Sequence, residues 1–261
     1  MLTAENLRFA FPGRRVLLDG VGFSLRAGVP LVLLGPNGTG KTTLLRCLLG
    51  LERLSGGRVL VEGRDLAGLG SAEAARAMAY VPQASEATFA FRAFDIVLMG
   101  RNPHLGFMAG PGAADRAAAE AAMARLGISA LAGRAFNELS GGERQLVLVA
   151  RALAQGSRVL VMDEPCASLD LGNQMRILGV VRALADAGYG ILLTTHHPDH
   201  AFLLEGEVGL LQDGRMLGPA APAALLRAET LEALYGTPIE VMAVDAGRAR
   251  GQTLCVPVLS R

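Results

Sequence analysis

Lys41, Asp163, Glu164 and His196 are the residues whose type and setting could do chemistry. Lys41 belongs to the run Gly35-Pro36-Asn37-Gly38-Thr39-Gly40-Lys41-Thr42-Thr43, which has the spacing G-x-x-x-x-G-K-T. Glycines let a backbone turn successive N–H groups toward one anion, and a helix opening at that point adds its positive end. The lysine would then reach the outer phosphates of a nucleotide, and the Thr42 hydroxyl would hold Mg²⁺. Asp163 and Glu164 end the apolar run Val159-Leu160-Val161-Met162. Two carboxylates there divide the work, Asp163 binding Mg²⁺ directly or through water and Glu164 polarising an attacking water. His196 ends a second apolar run, Ile191 to Leu193 followed by Thr194-Thr195, where it could hydrogen-bond a terminal phosphate and that water.

Other residues carry weaker signals, each with a plainer alternative. The chain has 33 glycines, so a glycine-rich loop alone could be an ordinary turn between strand and helix. Gln83 follows Ala79-Tyr80-Val81-Pro82 and could touch Mg²⁺ or orient water; taken alone, it reads as an exposed loop residue. Phe9 and Phe11 could both be core, but the second is favoured as a ring stacking on a purine, since aromatic faces suit any base. Ser140 and Glu143 in Leu139-Ser140-Gly141-Gly142-Glu143-Arg144-Gln145 have capping-box spacing. That stretch is either a well-capped helix start or a second anion site built from Ser140, Gly141 and Gly142. His196, His197 and His200 are three of four histidines. Zinc is their rival reading, without the ligand spacing that zinc motifs carry.

These residues need particular elements to place them. Leu31 to Leu34 and 159–162 read as strands buried on both faces, as parallel strands are. Ligands in open α/β sheets sit at the carboxyl ends of such strands. Leu44, Leu45, Leu48 and Leu49 recur at helical spacing after the glycine loop. Residues 2–11 and 21–27 alternate as two strands joined near Arg14-Arg15. Residues 55–63, despite containing Ser-Gly-Gly, open into a strand and read as a hairpin with turn glycines. From about 86 to 155 strand patterns give way to Ala-rich helical ones, as in a helical insertion. Phe89, Phe91 and Phe94 at its entrance are core or a groove for a partner's helix. Helices are expected over 71–78, 173–187 and 222–234, a hairpin over 207–217, and closing strands at 239–244 and 254–258.

Composition narrows the classes. The chain has 261 residues, enough for a large core, and a net charge of +1 from 25 basic and 24 acidic residues. No basic stripe or charged tail is present, which speaks against nucleic acid as the main partner. Mean hydropathy is +0.36, in keeping with a large docking surface or simply with abundant Ala and Leu. No uninterrupted apolar stretch reaches about 18 residues, so no bilayer span is expected. The first residues lack a signal-peptide layout, and the expected location is cytoplasmic. Cys47, Cys166 and Cys255 are scattered, as reduced thiols are.

Taken in order, these motifs strongly resemble the ATP-binding subunit of an ABC transporter over nearly the whole chain. Gly35 to Thr43 resembles Walker A, Gln83 the Q-loop residue, Leu139 to Glu143 the signature, Asp163 and Glu164 the end of Walker B, Ser168-Leu169-Asp170 the D-loop, and His196 the switch histidine. Cys166 stands where threonine is usual; it keeps the size, loses a good donor, and activity is expected to survive. Gly100-Arg101-Asn102-Pro103-His104-Leu105-Gly106, Arg144 to Val147 and Thr195 to Ala201 are similar to importers of iron–siderophore, haem and cobalamin, with related systems carrying molybdate or tungstate.

The resemblance implies an α/β P-loop NTPase (RecA-like) core with an N-terminal antiparallel β-subdomain and an inserted α-helical subdomain. The implied division is 1–85 with 156–235 as the core, 86–155 as the helical part and 236–261 as a C-terminal hairpin. It implies ATP and Mg²⁺ as cofactors, with each ATP held by the Walker A of one copy and by Ser140, Gly141, Gly142 and Asp170 of another. It also implies a head-to-tail homodimer, two transmembrane permease subunits, a substrate-binding protein upstream, and a peripheral place on the cytoplasmic face of the inner membrane. The alternative is a soluble ATPase clamp of the same type acting on DNA or ribosomes. Such relatives carry coiled-coil insertions or paired cassettes, and neither is visible here.

Overall fold

The computed structural model describes residues 1–13, 15–83, 90–106 and 108–259. Strands β1 (Leu2–Ala10) and β2 (Val16–Leu25) pair antiparallel; Arg14, at the expected joint, lies outside the described residues. β2 begins at Val16 rather than near residue 21 because its alternation is broken. Leu18 is buried and the next buried positions are Val21, Phe23 and Leu25, with register shifts in the β1–β2 ladder. A bulge inserts an extra residue and hides the period of two. β3 (Leu31–Leu34) leads through the glycine-rich loop to α1 (Lys41–Leu48).

β4 (Gly56–Val61) and β5 (Arg64–Asp65) form a hairpin whose second strand lies beyond the expected span of 55–63. Its turn is Glu62-Gly63, with φ of 50° and 78°, the left-handed pair that matches strand twist. β4 also pairs with β1, giving the antiparallel order β2-β1-β4-β5. α2 (Ser71–Ala77) and β6 (Met78–Val81) follow. The helical insertion comes next: α3 (Ala93–Leu98), continued by a 3₁₀ turn over Met99–His104, then α4 (Ala113–Arg125) and α5 (Gly141–Ala154). These three helices pack on one another.

β7 (Val159–Met162), α6 (Leu171–Asp186), β8 (Gly190–Thr195), α7 (Asp199–Leu203), β9 (Glu207–Gln212) and β10 (Arg215–Ala220) complete the main sheet and its cover. α6 starts at Leu171 rather than Asn173 because Asp170 caps it, accepting from the Asn173 N–H at 2.8 Å. The single helix expected over 222–234 is two, α8 (Pro222–Leu225) and α9 (Ala228–Tyr235). Leu226 turns into the core between them and Arg227 is extended. β11 (Ile239–Ala243) and β12 (Thr253–Pro257) close the chain as an antiparallel pair.

The main sheet has the order β10-β9-β3-β8-β7-β6. All its pairs are parallel except β10 with β9. Alternate residues of one strand serve opposite faces, so each buried strand feeds two cores. Leu31 and Leu33 pack toward α1 and the antiparallel sheet, while Val32 and Leu34 pack toward the helical insertion. This explains the uninterrupted apolar runs. α1 buries Leu44, Leu45 and Leu48, each contributing about 1.5–3 kcal/mol, and that packing fixes the helix whose first residue is Lys41.

Candidate active site

Strand order brings the chemistry together. β3, β8 and β7 are parallel neighbours, so the glycine loop, His196 and the Asp163-Glu164 pair leave the sheet along one edge. β6 lies beside β7 and delivers Gln83 to the same edge.

The glycine loop is wrapped around its lysine. Lys41 is 6% exposed, and its Nζ donates to the carbonyls of Gly35 at 2.7 Å and Pro36 at 3.2 Å. The Thr39 hydroxyl donates to the Pro36 carbonyl at 2.9 Å. Gly35 lies so close to β9 that a Cβ would stand 2.6 Å from the Leu211 carbonyl oxygen. Gly40, at φ 99°, precedes α1 in a left-handed conformation and provides no side-chain cap. The first N–H groups of α1 therefore lack an internal partner, which is what an anion at a helix start requires.

Asp163 is buried beside two hydroxyls. Register places it next to Thr194, whose Oγ1 donates to Asp163 Oδ1 at 2.8 Å. The Tyr80 hydroxyl is 3.4 Å from Oδ2; burial, then the Asp163 charge, push that phenol up to about 12, so it stays a donor. No described Lys, Arg or His forms an ion pair with Asp163. A buried carboxylate without a cation is costly, and a divalent ion fits the place, with Thr42 and Gln83 in the adjoining cleft.

Glu164 sits between a lysine and a histidine. Its Oε1 is 3.6 Å from Lys41 Nζ and its Oε2 is 3.5 Å from His196 Nδ1. Its backbone has φ 43°, strained for a side-chain-bearing residue, and its N–H donates to Thr194 Oγ1 at 2.8 Å. Such strain persists only where the surroundings hold it. A cleft of about 810 Å³ opens over Asn37, Gly38, Gly40, Lys41, Thr42 and Thr43, with Glu164 and Gln83 on one side. Phe11 also lines it, 38% exposed and edge-on to the buried Phe9 at 4.9 Å between ring centres. The two rings thus divide the alternatives, one in the core and one on the cleft.

Ser140, Gly141, Gly142 and Asp170 are elsewhere. None of them lines that cleft among the described residues. The capping box is present, Glu143 Oε2 accepting from Ser140 N at 2.8 Å and Ser140 Oγ from Glu143 N at 3.3 Å. Gly142 packs so closely on Asn173 that a Cβ would collide with it. Asp170 also accepts from Asn173 Nδ2 at 2.6 Å. The starts of α5 and α6 therefore pack together, with Ser140 and Asp170 exposed and Gly142 buried against Asn173. Cys166 is buried behind them, its thiol pushed up to about 12 by burial.

The histidine stretch is a stack rather than a convergence. The His196 and His197 rings are 4.2 Å apart and those of His197 and His200 5.0 Å. His200 Nδ1 lies 3.0 Å from Thr195 Oγ1, and burial pushes that imidazole down to about 4. Among the described residues no group of three or more His, Cys, Asp or Glu is placed to share a metal ion.

Thr194, Tyr80, Arg15 and Leu17 are site residues that spacing did not flag. Arg15 and Leu17 line the cleft. The polar pair Thr194-Thr195 inside a buried strand was a usable sign; the others depend on which strands are neighbours. A second cleft, of about 650 Å³, lies between α2 and the 3₁₀ turn at 99–104. Leu51, Leu66, Leu69 and Met99 form its apolar walls, and Arg151 lies in it with no described carboxylate paired to it. Phe91 and Phe94 are not among its described lining residues, and Phe89 lies outside the described residues.

The ABC transporter family profile matches residues 18–167. The chain belongs to the ABC transporter family, as an ATP-binding subunit. It is an ABC-type ATPase. It is 40% identical, over its whole length and 64% of the relative's, to the cobalamin import ATP-binding protein BtuD of Halobacterium salinarum. It is 39% identical to the hemin import ATP-binding protein HmuV of Gloeobacter violaceus, across 93% of this chain and 90% of that one. A solved structure described as an inward-facing transporter of metal-chelate type superposes with a TM-score of 0.88 at 33% identity, covering 99% of this chain and 97% of the other. The family fold is thus that of ABC cassettes, with the antiparallel subdomain and helical insertion seen here.

Proposed function

We propose that the chain is the ATP-hydrolysing subunit of an importer for an iron–siderophore, haem, cobalamin or oxyanion cargo. The import and cargo part of this reading rests on the similarity to cobalamin and hemin import ATP-binding proteins, and the ATPase part on the split site. Lys41, Asp163, Glu164 and His196 meet at one sheet edge, while Ser140 and Asp170 are exposed on a separate face, with Gly141 half-buried and Gly142 buried between them.

In this reading two copies pair head to tail, and each ATP lies between the glycine loop of one and the Ser140–Gly142 face of the other. Phe11 stacks on the base. The N–H groups of 38–43 and Lys41 hold the phosphates. Thr42, Gln83 and Asp163 would hold Mg²⁺, which neutralises phosphate charge when bound. Glu164 accepts a proton from the attacking water, and His196 orients that water and the terminal phosphate. Hydrolysis and product release let the pair reopen, and this closure drives two transmembrane permease subunits fed by a substrate-binding protein. The chain docks peripherally at the cytoplasmic face of the inner membrane, as expected of an ATP-binding subunit, and the Arg151 cleft is a candidate seat for the permease. No helix among the described residues is long and apolar enough to cross a membrane.

The test is affinity purification of the tagged chain from detergent-solubilised native membranes, then reconstitution of whatever co-purifies. A polytopic permease that takes up cargo only with hydrolysable ATP is the expected result. Ribosomal or DNA-repair partners without a permease would overturn it.

A further inference from the structure

The C-terminal segment touches the loop that carries His196 at two points. The Tyr235 hydroxyl, at the end of α9, donates to the His196 carbonyl at 3.3 Å. The backbone N–H of Cys255, in β12, donates to Asp199 Oδ1 at 2.8 Å. The two contacts bracket the link between β8 and α7. That link needs support, because His196 is 44% exposed at its side chain and 3.5 Å from Glu164, longer than an ordinary hydrogen bond. On the other side the His197 N–H donates to Thr195 Oγ1 at 3.1 Å and the His197 ring backs the His196 ring.

The holder is itself fixed. Leu231 and Leu234 of α9 are in the core. The Gln212 side chain donates to the Ala233 carbonyl at 3.1 Å, and Glu232 Oε1 accepts from Ile239 N at 3.3 Å. Burial, then Cys255 and Glu164, push the Tyr235 phenol well up, so it keeps its proton at any working pH.

We infer that Tyr235 is a positioning residue for the hydrolytic step: its hydrogen bond to the His196 carbonyl, with the Asp199–Cys255 bond as second anchor, sets the His196 ring against Glu164. This rests on the reading of His196 as a group that touches the reacting atoms. It gives α9 and the C-terminal hairpin a part in hydrolysis that none of the sequence motifs carries. Misplacement of a reacting group by about 1 Å can cost two orders of magnitude in rate, so a partly loosened loop should show in kcat.

The test uses the full chain with Tyr235→Phe, which keeps the ring and removes the donor. Expected is a kcat about tenfold lower, with KM for ATP within about twofold and Tm within about 2 °C of the parent. Only four histidines are present, so ¹³C-histidine spectra resolve them, with the His196 signal assigned by its loss in His196→Ala. In Tyr235→Phe that signal should move and the His104 signal should not. Parental kcat in Tyr235→Phe alongside a slow His196→Ala would overturn the positioning role alone, as would a lower kcat with an unmoved His196 signal. Parental kcat in His196→Ala would remove both the positioning role and the reading beneath it.

Discussion

Two glycine-rich segments open helices in this chain, and they are built in opposite ways. α1 starts after a left-handed glycine with no side-chain cap, no acidic residue in its first turn, and a buried lysine. α5 starts with a serine cap closed by Glu143, which puts a negative charge in the first turn. The first leaves its amides and a cation for an anion. The second satisfies its own helix start and offers only what remains, chiefly the exposed Ser140 hydroxyl. One segment can bind phosphate by itself; the other can contribute only to a phosphate already held by something else. That asymmetry is what the proposed sharing of one site between two copies rests on.

The sharpest way to break the comparison is to remove the lysine. Lys41→Ala deletes a charge-assisted contact worth about 3 kcal/mol, so ATP affinity should fall roughly 100-fold. Titration calorimetry that finds unchanged affinity would take Lys41 out of the site. Glu164→Gln should leave binding intact and lower kcat by about 100-fold or more, read by phosphate release at saturating ATP. Parental turnover would show that another group accepts the proton.

The second segment should behave differently. Ser140→Ala should not change ATP affinity of the isolated chain by more than about twofold, yet lower turnover about tenfold, the effect of losing one charge-assisted donor. It should also lower Tm by about 2–4 °C through the lost cap. A large loss of binding there would mean that the two segments serve one nucleotide within one chain. An effect of similar size, but on binding, is expected at the cleft wall. Phe11→Ala should weaken ATP by roughly tenfold, the worth of one stacked base, while Phe11→Tyr stays near the parent.

Much of this architecture is legible in the sequence because its signals are local. The glycine loop, the buried strands that end in Asp163 and Thr195, and the cap at Ser140 each follow from a few adjacent residues. Relations that depend on strand order are not. Thr194 meets Asp163 because β8 runs beside β7, and Tyr80 reaches the same carboxylate because β6 borders β7 on the other side. The early start of β2 was hidden by a bulge, and the break at Leu226 by a helical pattern that continues through it. The partner groove sought near Phe89, Phe91 and Phe94, the first of which lies outside the described residues, is paralleled by a cleft built from Leu51 in the loop after α1, Met99 in the 3₁₀ turn and Arg151 in α5.

The central claim is that the two segments meet across ATP only between copies. Light scattering on Glu164→Gln tests it most directly. With Mg-ATP the variant should sediment and scatter at twice the 27.2 kDa of one chain, return to one chain with Mg-ADP, and fail to pair when Ser140→Arg is added. A Glu164→Gln chain that saturates with ATP and stays single, or that pairs as well with Ser140→Arg, would contradict the account.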